Sequence, residues 1–415
     1  MKVGVVFMNS YYYLFEIALI LFSTKLLGLL FRRIRLPQVV GALLAGIIIG
    51  PCMLGLVSES EFITQLSEIG VILLMFTAGM ETDIEELKRQ GKASFTIALL
   101  GVLIPFVLGG GVTYLFAKFG MKNIMGDTSI MLQSVFVGVV LTATSVSITV
   151  ETLREMGKLN SDVGSVLLGA AIIDDILGII ALSIVTSFAD TSVKMSVILT
   201  KIVLYFVFMA IVSFVVYKIL KIWFKDSDHL KRHVIAVIGL CLLLSYISEV
   251  YFGVANITGA FITGLIISAV GYKKERIMGT VDDVSYAFLS PVFFASIGLK
   301  LVLPKMSAII VLYAVVLSIV AIVSKILGCG LGARLFKFSR SESVQVGAGM
   351  VSRGEVALIV ANKGIKLNMV SNVIFAPILI VVIITTVISP ILLKIAFKDK
   401  DSSLECNEIV VNEYE

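Results

Sequence analysis

Residues Gly169-Ala170-Ala171-Ile172-Ile173-Asp174-Asp175-Ile176-Leu177-Gly178 set two adjacent carboxylates inside an apolar run, with no other charge within ten residues on either side. The run is one of many. Across 415 residues the chain is 58% hydrophobic and 15% charged, with a mean hydropathy of +1.04, whereas a soluble domain is roughly 45–50% apolar. A membrane span needs about 20 mostly apolar residues, and such stretches recur from residue 11 to residue 396, separated by short polar breaks. The reading is an all-α polytopic membrane protein with no soluble domain.

Hydropathy predicts about thirteen transmembrane helices, centred near residues 21, 46, 71, 104, 142, 175, 208, 240, 262, 290, 322, 352 and 382. Residues 1–400 form a single transmembrane unit and residues 401–415 a short acidic tail. The first apolar stretch, from Tyr11, is too long for a cleaved leader and reads as a retained span. Lys and Arg crowd alternate loops, among them Arg32-Arg33, Lys88-Arg89, Lys273-Lys274 and Arg334. That bias places the N-terminus outside and the C-terminus in the cytoplasm of a cell-membrane protein. The formal charge of +5 is therefore topological and implies no nucleic-acid partner. Cys52, Cys241, Cys329 and Cys406 lack the spacing of a disulfide framework or a zinc site.

The second helix carries Gly41-Ala42 and Gly46; the ninth carries Gly259-Ala260 and Gly264, roughly 218 positions later. Ala78-Gly79-Met80 is echoed by Ile297-Gly298-Leu299, and Lys158-Leu159-Asn160 by Lys366-Leu367-Asn368. Order and offset are kept, which predicts two six-helix repeats of inverted topology, with broken helices at corresponding positions exposing backbone near the midplane. Two stretches suit such breaks. One is the hydroxyl run Thr142-Ala143-Thr144-Ser145; the other is Gly347 to Glu355, which contains Ser352, Arg353 and Gly354.

Ionisable groups inside spans are costly and read as functional. Two neighbouring aspartates on one helix point about 100° apart, so Asp174 and Asp175 can hold different partners. Lys325, mid-span in Ser324-Lys325-Ile326, is a counter-ion for one of them, a plain structural bridge, or a second proton site. Arg353 and Glu355 either pair with each other or compensate the dipoles of broken helices. Glu16 and Glu68 lie towards span ends within reach of water, and His229 and His233 fall in a basic loop.

Carboxylate, hydroxyl and carbonyl oxygens suit a small hard cation such as Na⁺. The expected donors are Asp174, Asp175, Thr142, Thr144 and Ser145. A proton and a cation cannot share one carboxylate, so loading one expels the other. The expectation is a secondary carrier, not an enzyme, that needs no cofactor beyond its transported ions. An intramembrane aspartyl protease would need its two aspartates on different helices, and a channel would conduct without moving protons.

The pair in Ile173-Asp174-Asp175, the run Leu141-Thr142-Ala143-Thr144-Ser145, Ser324-Lys325, and Ser352-Arg353-Gly354-Glu355 resemble sodium/proton antiporters of the NapA and NhaA type, within the monovalent cation/proton antiporter superfamily. The resemblance covers nearly the whole chain. It implies a homodimer, with a dimerisation domain of about helices 1–3 and 8–10, a core of helices 4–6 and 11–13, and helix 7 linking them. The core would move like an elevator. Asp175 would be the main ion carrier and Asp174 the partner of Lys325 when no cation is bound. This pattern implies electrogenic exchange, more protons than cations per cycle. Potassium-efflux relatives usually carry a nucleotide-binding domain after the last span, where the expectation here is only the short acidic tail; exchange of K⁺, or of both Na⁺ and K⁺, is the alternative.

Overall fold

The computed structural model describes residues 11–34, 36–119, 129–189, 195–226, 230–271, 274–300, 306–366 and 369–412. Among these there is no β-strand. The helices, in chain order, are α1 (Tyr12–Arg33), α2 (Gln38–Ile49), α3 (Glu61–Glu81), α4 (Ile84–Arg89), α5 (Gly91–Phe119), α6 (Ile130–Thr142), α7 (Val146–Glu155) and α8 (Asp162–Ala189). They continue as α9 (Met195–Asp226), α10 (Leu230–Ile247), α11 (Asn256–Val270), α12 (Lys274–Val284) and α13 (Ser290–Leu299). Last come α14 (Ala308–Leu335), α15 (Arg340–Gly349), α16 (Glu355–Lys366) and α17 (Asn372–Asn412). Single π-helical turns follow α10, at Ser248–Phe252, and α12, at Ser285–Leu289.

Nine segments among the described residues are long and apolar enough to cross a membrane, taking α6 with α7 as one. They fall at nine of the thirteen expected centres. At the other four the helices are short or interrupted. α2 has 12 residues and α11 has 15, so at 1.5 Å per residue they rise only about 18 and 22 Å. The segment near residue 290 is divided by a π turn, and the one near 352 unwinds between α15 and α16. Hydropathy counts apolar length, whether or not the backbone stays helical. The last helix runs through the acidic tail as far as Asn412 instead of ending near residue 400.

The chain divides into two compact units: Met1–Ile84 with Leu199–Leu303, and Glu85–Ile198 with Pro304–Glu415. In the first, the helices meet at glycine. A Cβ on Gly298 (α13) would lie 2.7 Å from the carbonyl carbon of Gly46 (α2), and one on Gly264 (α11) 2.8 Å from the Cα of Gly79 (α3). Neither approach leaves room for a side chain, which is how helices pack closely where water supplies no hydrophobic drive. The two contacts are reciprocal. The second helix of each expected repeat packs on the third helix of the other. Around the first contact Ile20, Ile49, Val57, Ile63, Val292, Ala295 and Leu299 form a buried cluster.

Two residues expected near water are buried in this unit. Glu16 is enclosed, while Glu68 is exposed. His233 lies in the first turns of α10, fully buried, with its ring edge-on to Trp223 at 4.6 Å between centroids. It is therefore not a solvated loop residue, because the helix starts earlier than the charge pattern indicates; His229 lies outside the described residues.

In the second unit α5 lies along α14 and also against α6 and α8, and α15 packs on α14 and α17. Pro105 inside α5 and Pro377 and Pro390 inside α17 are tolerated because neighbouring helices and hydroxyl side chains can satisfy the carbonyls they free.

Candidate functional site

The first break falls where the sequence changes from an apolar helix to Thr-Ala-Thr-Ser. α6 ends at Thr142, and the backbone of Ala143 and Ser145 is extended before α7 starts at Val146. Hydroxyl side chains offer the main chain alternatives to helical bonding. Thr142 donates to the carbonyl of Val139 in its own helix at 2.7 Å. Its hydroxyl proton is thus committed locally.

The second break follows Gly347-Ala348-Gly349, a poor helix-forming run. Residues 351–354 are non-helical, and α16 starts at Glu355, whose side chain lies outside the described residues. The proposed pairing of Arg353 with Glu355 therefore cannot be drawn. The two breaks meet. The Ser145 N–H donates to the Ser352 carbonyl at 2.8 Å, and the Ser352 hydroxyl donates to the Ser145 carbonyl at 2.8 Å. Thr149 donates to the carbonyl of Gly349, the last residue of α15, and its oxygen lies 3.1 Å from that of Ser352. Helix ends leave carbonyls without intrahelical partners, and here a hydroxyl from the opposite segment supplies one.

Arg353 is enclosed within this crossing. Its Nη2 donates to the Leu141 carbonyl at 2.7 Å and to that of Ala321 at 3.2 Å, Nε donates to Leu141 at 3.3 Å, and Nη1 to Val351 at 3.0 Å. Leu141 is in the last turn of α6. A positive charge there compensates the negative end of the helix dipole, and a planar fork can serve several carbonyls as an ammonium cannot. Thr386 of α17 in turn donates to the Arg353 carbonyl, and Ser389 to that of Ala348.

Beside the crossing, Lys325 Nζ on α14 donates to Asp174 Oδ1 on α8 at 3.0 Å, with the two side chains 0% and 1% exposed. Asp175 is only half-buried, on the adjacent face of the same helix. The second Asp174 oxygen, Oδ2, and the Thr144 hydroxyl are both buried, and the Thr144 hydroxyl interacts with the Asp174 carboxylate. A cavity of about 10 Å³, lined by Thr144, Thr149, Leu167, Ala171 and Met350 among others, borders the first break. It has room for about one water. Ser145, whose hydroxyl lies 3.3 Å from that of Ser147, contributes to the crossing through its backbone. Thr149, Thr386 and Ser389 were not singled out from the sequence. Their signal is a hydroxyl in an apolar helix, which most often bonds only within its own helix.

A helical chain with repeated membrane-length segments, a buried ion pair and two interrupted helices crossing beside it belongs to the ion-coupled secondary carriers. Residues 18–398 match the transmembrane sodium/hydrogen exchanger family, and the chain is a member of that family, a multi-pass membrane transporter that exchanges a cation for protons. It is 40% identical to the Na⁺/H⁺-K⁺ antiporter GerN of Bacillus cereus over 95% of its length and 99% of that protein's. Identity to a Na⁺/H⁺ antiporter of Enterococcus hirae is 36%, covering 91% and 96%. In fold it is similar to the sodium proton antiporter MjNhaP1 of Methanocaldococcus jannaschii, with a TM-score of 0.68 at 20% identity over 95% of this chain and 99% of that one.

Proposed function

We propose that the protein exchanges Na⁺ for H⁺ across the cell membrane, with Asp175 as the main carboxylate on which the ions compete and Asp174 as the partner of Lys325 when no cation is bound. The observation that carries this is the enclosed Asp174–Lys325 pair, 3.0 Å apart, with the buried Thr144 hydroxyl beside the same carboxylate. Buried carboxylate and hydroxyl oxygens are the ligands a dehydrated hard cation needs. A cation reaching this carboxylate cluster would displace the lysine, and the ammonium could then release its proton. In that scheme more than one proton moves per cation and exchange is electrogenic.

The reciprocal glycine contacts and the crossing breaks favour two inverted repeats, with alternating access about the crossing. Asp174, Asp175, Lys325, Thr144 and Arg353 all belong to the second compact unit. We assign that unit as the elevator-like core and the first as the dimerisation domain of a homodimer, with the N-terminus outside and the C-terminus cytoplasmic. GerN is a Na⁺/H⁺-K⁺ antiporter, which favours mixed Na⁺/K⁺ exchange as the second reading.

The test uses purified protein in liposomes that hold an imposed pH gradient, reported by a pH-sensitive dye. Addition of Na⁺ should collapse the gradient, and Asp175→Asn should abolish the response. A response to K⁺ as large as that to Na⁺ would favour the second reading; silence towards every cation in sealed vesicles would refute exchange.

A further inference from the structure

Where α5 passes the ion pair its residue is Gly101. A Cβ built there would lie 2.6 Å from Cys329 Sγ, 3.7 Å from Lys325 Nζ and 4.0 Å from Asp174 Oδ1. Cys329 follows Lys325 by one turn of α14 and is fully buried. The two helices are close around this point: a Cβ on Gly328 would meet the Leu100 carbonyl oxygen at 2.6 Å, and one on Gly332 the Ile97 Cα at 2.8 Å.

We propose that Gly101 is a positioning residue for exchange: the missing side chain leaves the space in which Cys329 packs below Lys325, and so sets where the ammonium meets Asp174. The assignment rests on the exchange reading above. A methyl group at 101 overlaps the sulfur, and overpacking of this kind is relieved by displaced rotamers or shifted backbone. The sulfur is one turn from Lys325, so relief moves the base of the lysine or crowds its head directly. Inside a desolvated site a small change in charge separation has a large electrostatic effect. The consequence falls on proton coupling and not only on stability.

The full-length chain in proteoliposomes tests this through the pH dependence of Na⁺-driven proton movement. Gly101→Ala should move the pH of half-maximal exchange by about half a unit or more, since neighbouring charge is what displaces titration. Adding Cys329→Ala, which removes the overlapped sulfur, should bring the profile back. Gly111→Ala, on the same helix where a Cβ would meet nothing within 4 Å, should overlay the wild type. If Gly101→Ala does not fold, Cys329→Val crowds the same space from α14 and should produce the shift instead.

A profile that superposes on the wild type with only a lower maximum would overturn the assignment, as would a shift that Cys329→Ala leaves in place. Wild-type vesicles measured alongside separate the two ideas. If they move no protons on addition of Na⁺, the exchange reading fails; if they do and the Gly101→Ala profile is unmoved, only the role of Gly101 fails.

Discussion

Ser145 and Ser352, 207 positions apart in sequence, bond to each other in both directions: the amide of Ser145 donates to the carbonyl of Ser352, and the hydroxyl of Ser352 donates to the carbonyl of Ser145, each at 2.8 Å. Two interrupted helices are thereby joined largely through their main chains. Unwound backbone inside a membrane is stable only when its polar groups are satisfied by protein or water.

Ser352→Ala should therefore cost more than a surface hydroxyl. It leaves the buried Ser145 carbonyl without this donor and removes the contact with Thr149, a loss of about 1–3 kcal/mol. Thermal unfolding in detergent checks it, and an unchanged midpoint would contradict the crossing as a stabilising element.

Lys325→Ala leaves Asp174 buried without its ammonium. Breaking such a pair costs about 3–5 kcal/mol, and replacing both members with neutral groups costs much less. The double variant Asp174→Asn/Lys325→Met should accordingly melt above Lys325→Ala while remaining deficient in exchange. Equal melting of the two would mean the aspartate is already neutral or otherwise paired.

Arg353→Lys keeps the charge but not the fork. One ammonium cannot reproduce the bonds to Leu141, Ala321 and Val351, and each lost bond to a charged donor is worth about 1.5–3 kcal/mol. Stability should fall, together with the maximal exchange rate. Wild-type melting in Arg353→Lys would show that charge alone suffices.

Gly264→Leu and Gly46→Leu should each prevent the first unit from packing, because the added side chain meets the backbone of the facing helix. Gly111→Leu, built into open space on α5, should not. Size-exclusion profiles of the three proteins distinguish these outcomes.

The membrane character, the first break and the buried charges were legible from sequence because each carries a local signature: apolar length, a cluster of hydroxyls, or an ionisable residue where ionisation is costly. That Lys325 would meet one of the two aspartates followed from there being few deep charges to choose between, and the family resemblance pointed to Asp174. Other features depend on neighbours distant in sequence. Thr142 turns back to Val139 while Thr144, two residues on, interacts with the Asp174 carboxylate, and composition does not separate them. His233 reads as a loop residue until Trp223 is seen against its ring. Gly101 is unremarkable in sequence; only the approach of Cys329 gives it significance.

The glycine contacts of α2 with α13 and of α3 with α11 put main chain against main chain. Such a surface has no rotamers to exchange, so it cannot adjust by repacking. Each pair behaves as a welded joint within its unit, so any bending or sliding in the exchange proposed above would fall on other joints of the protein.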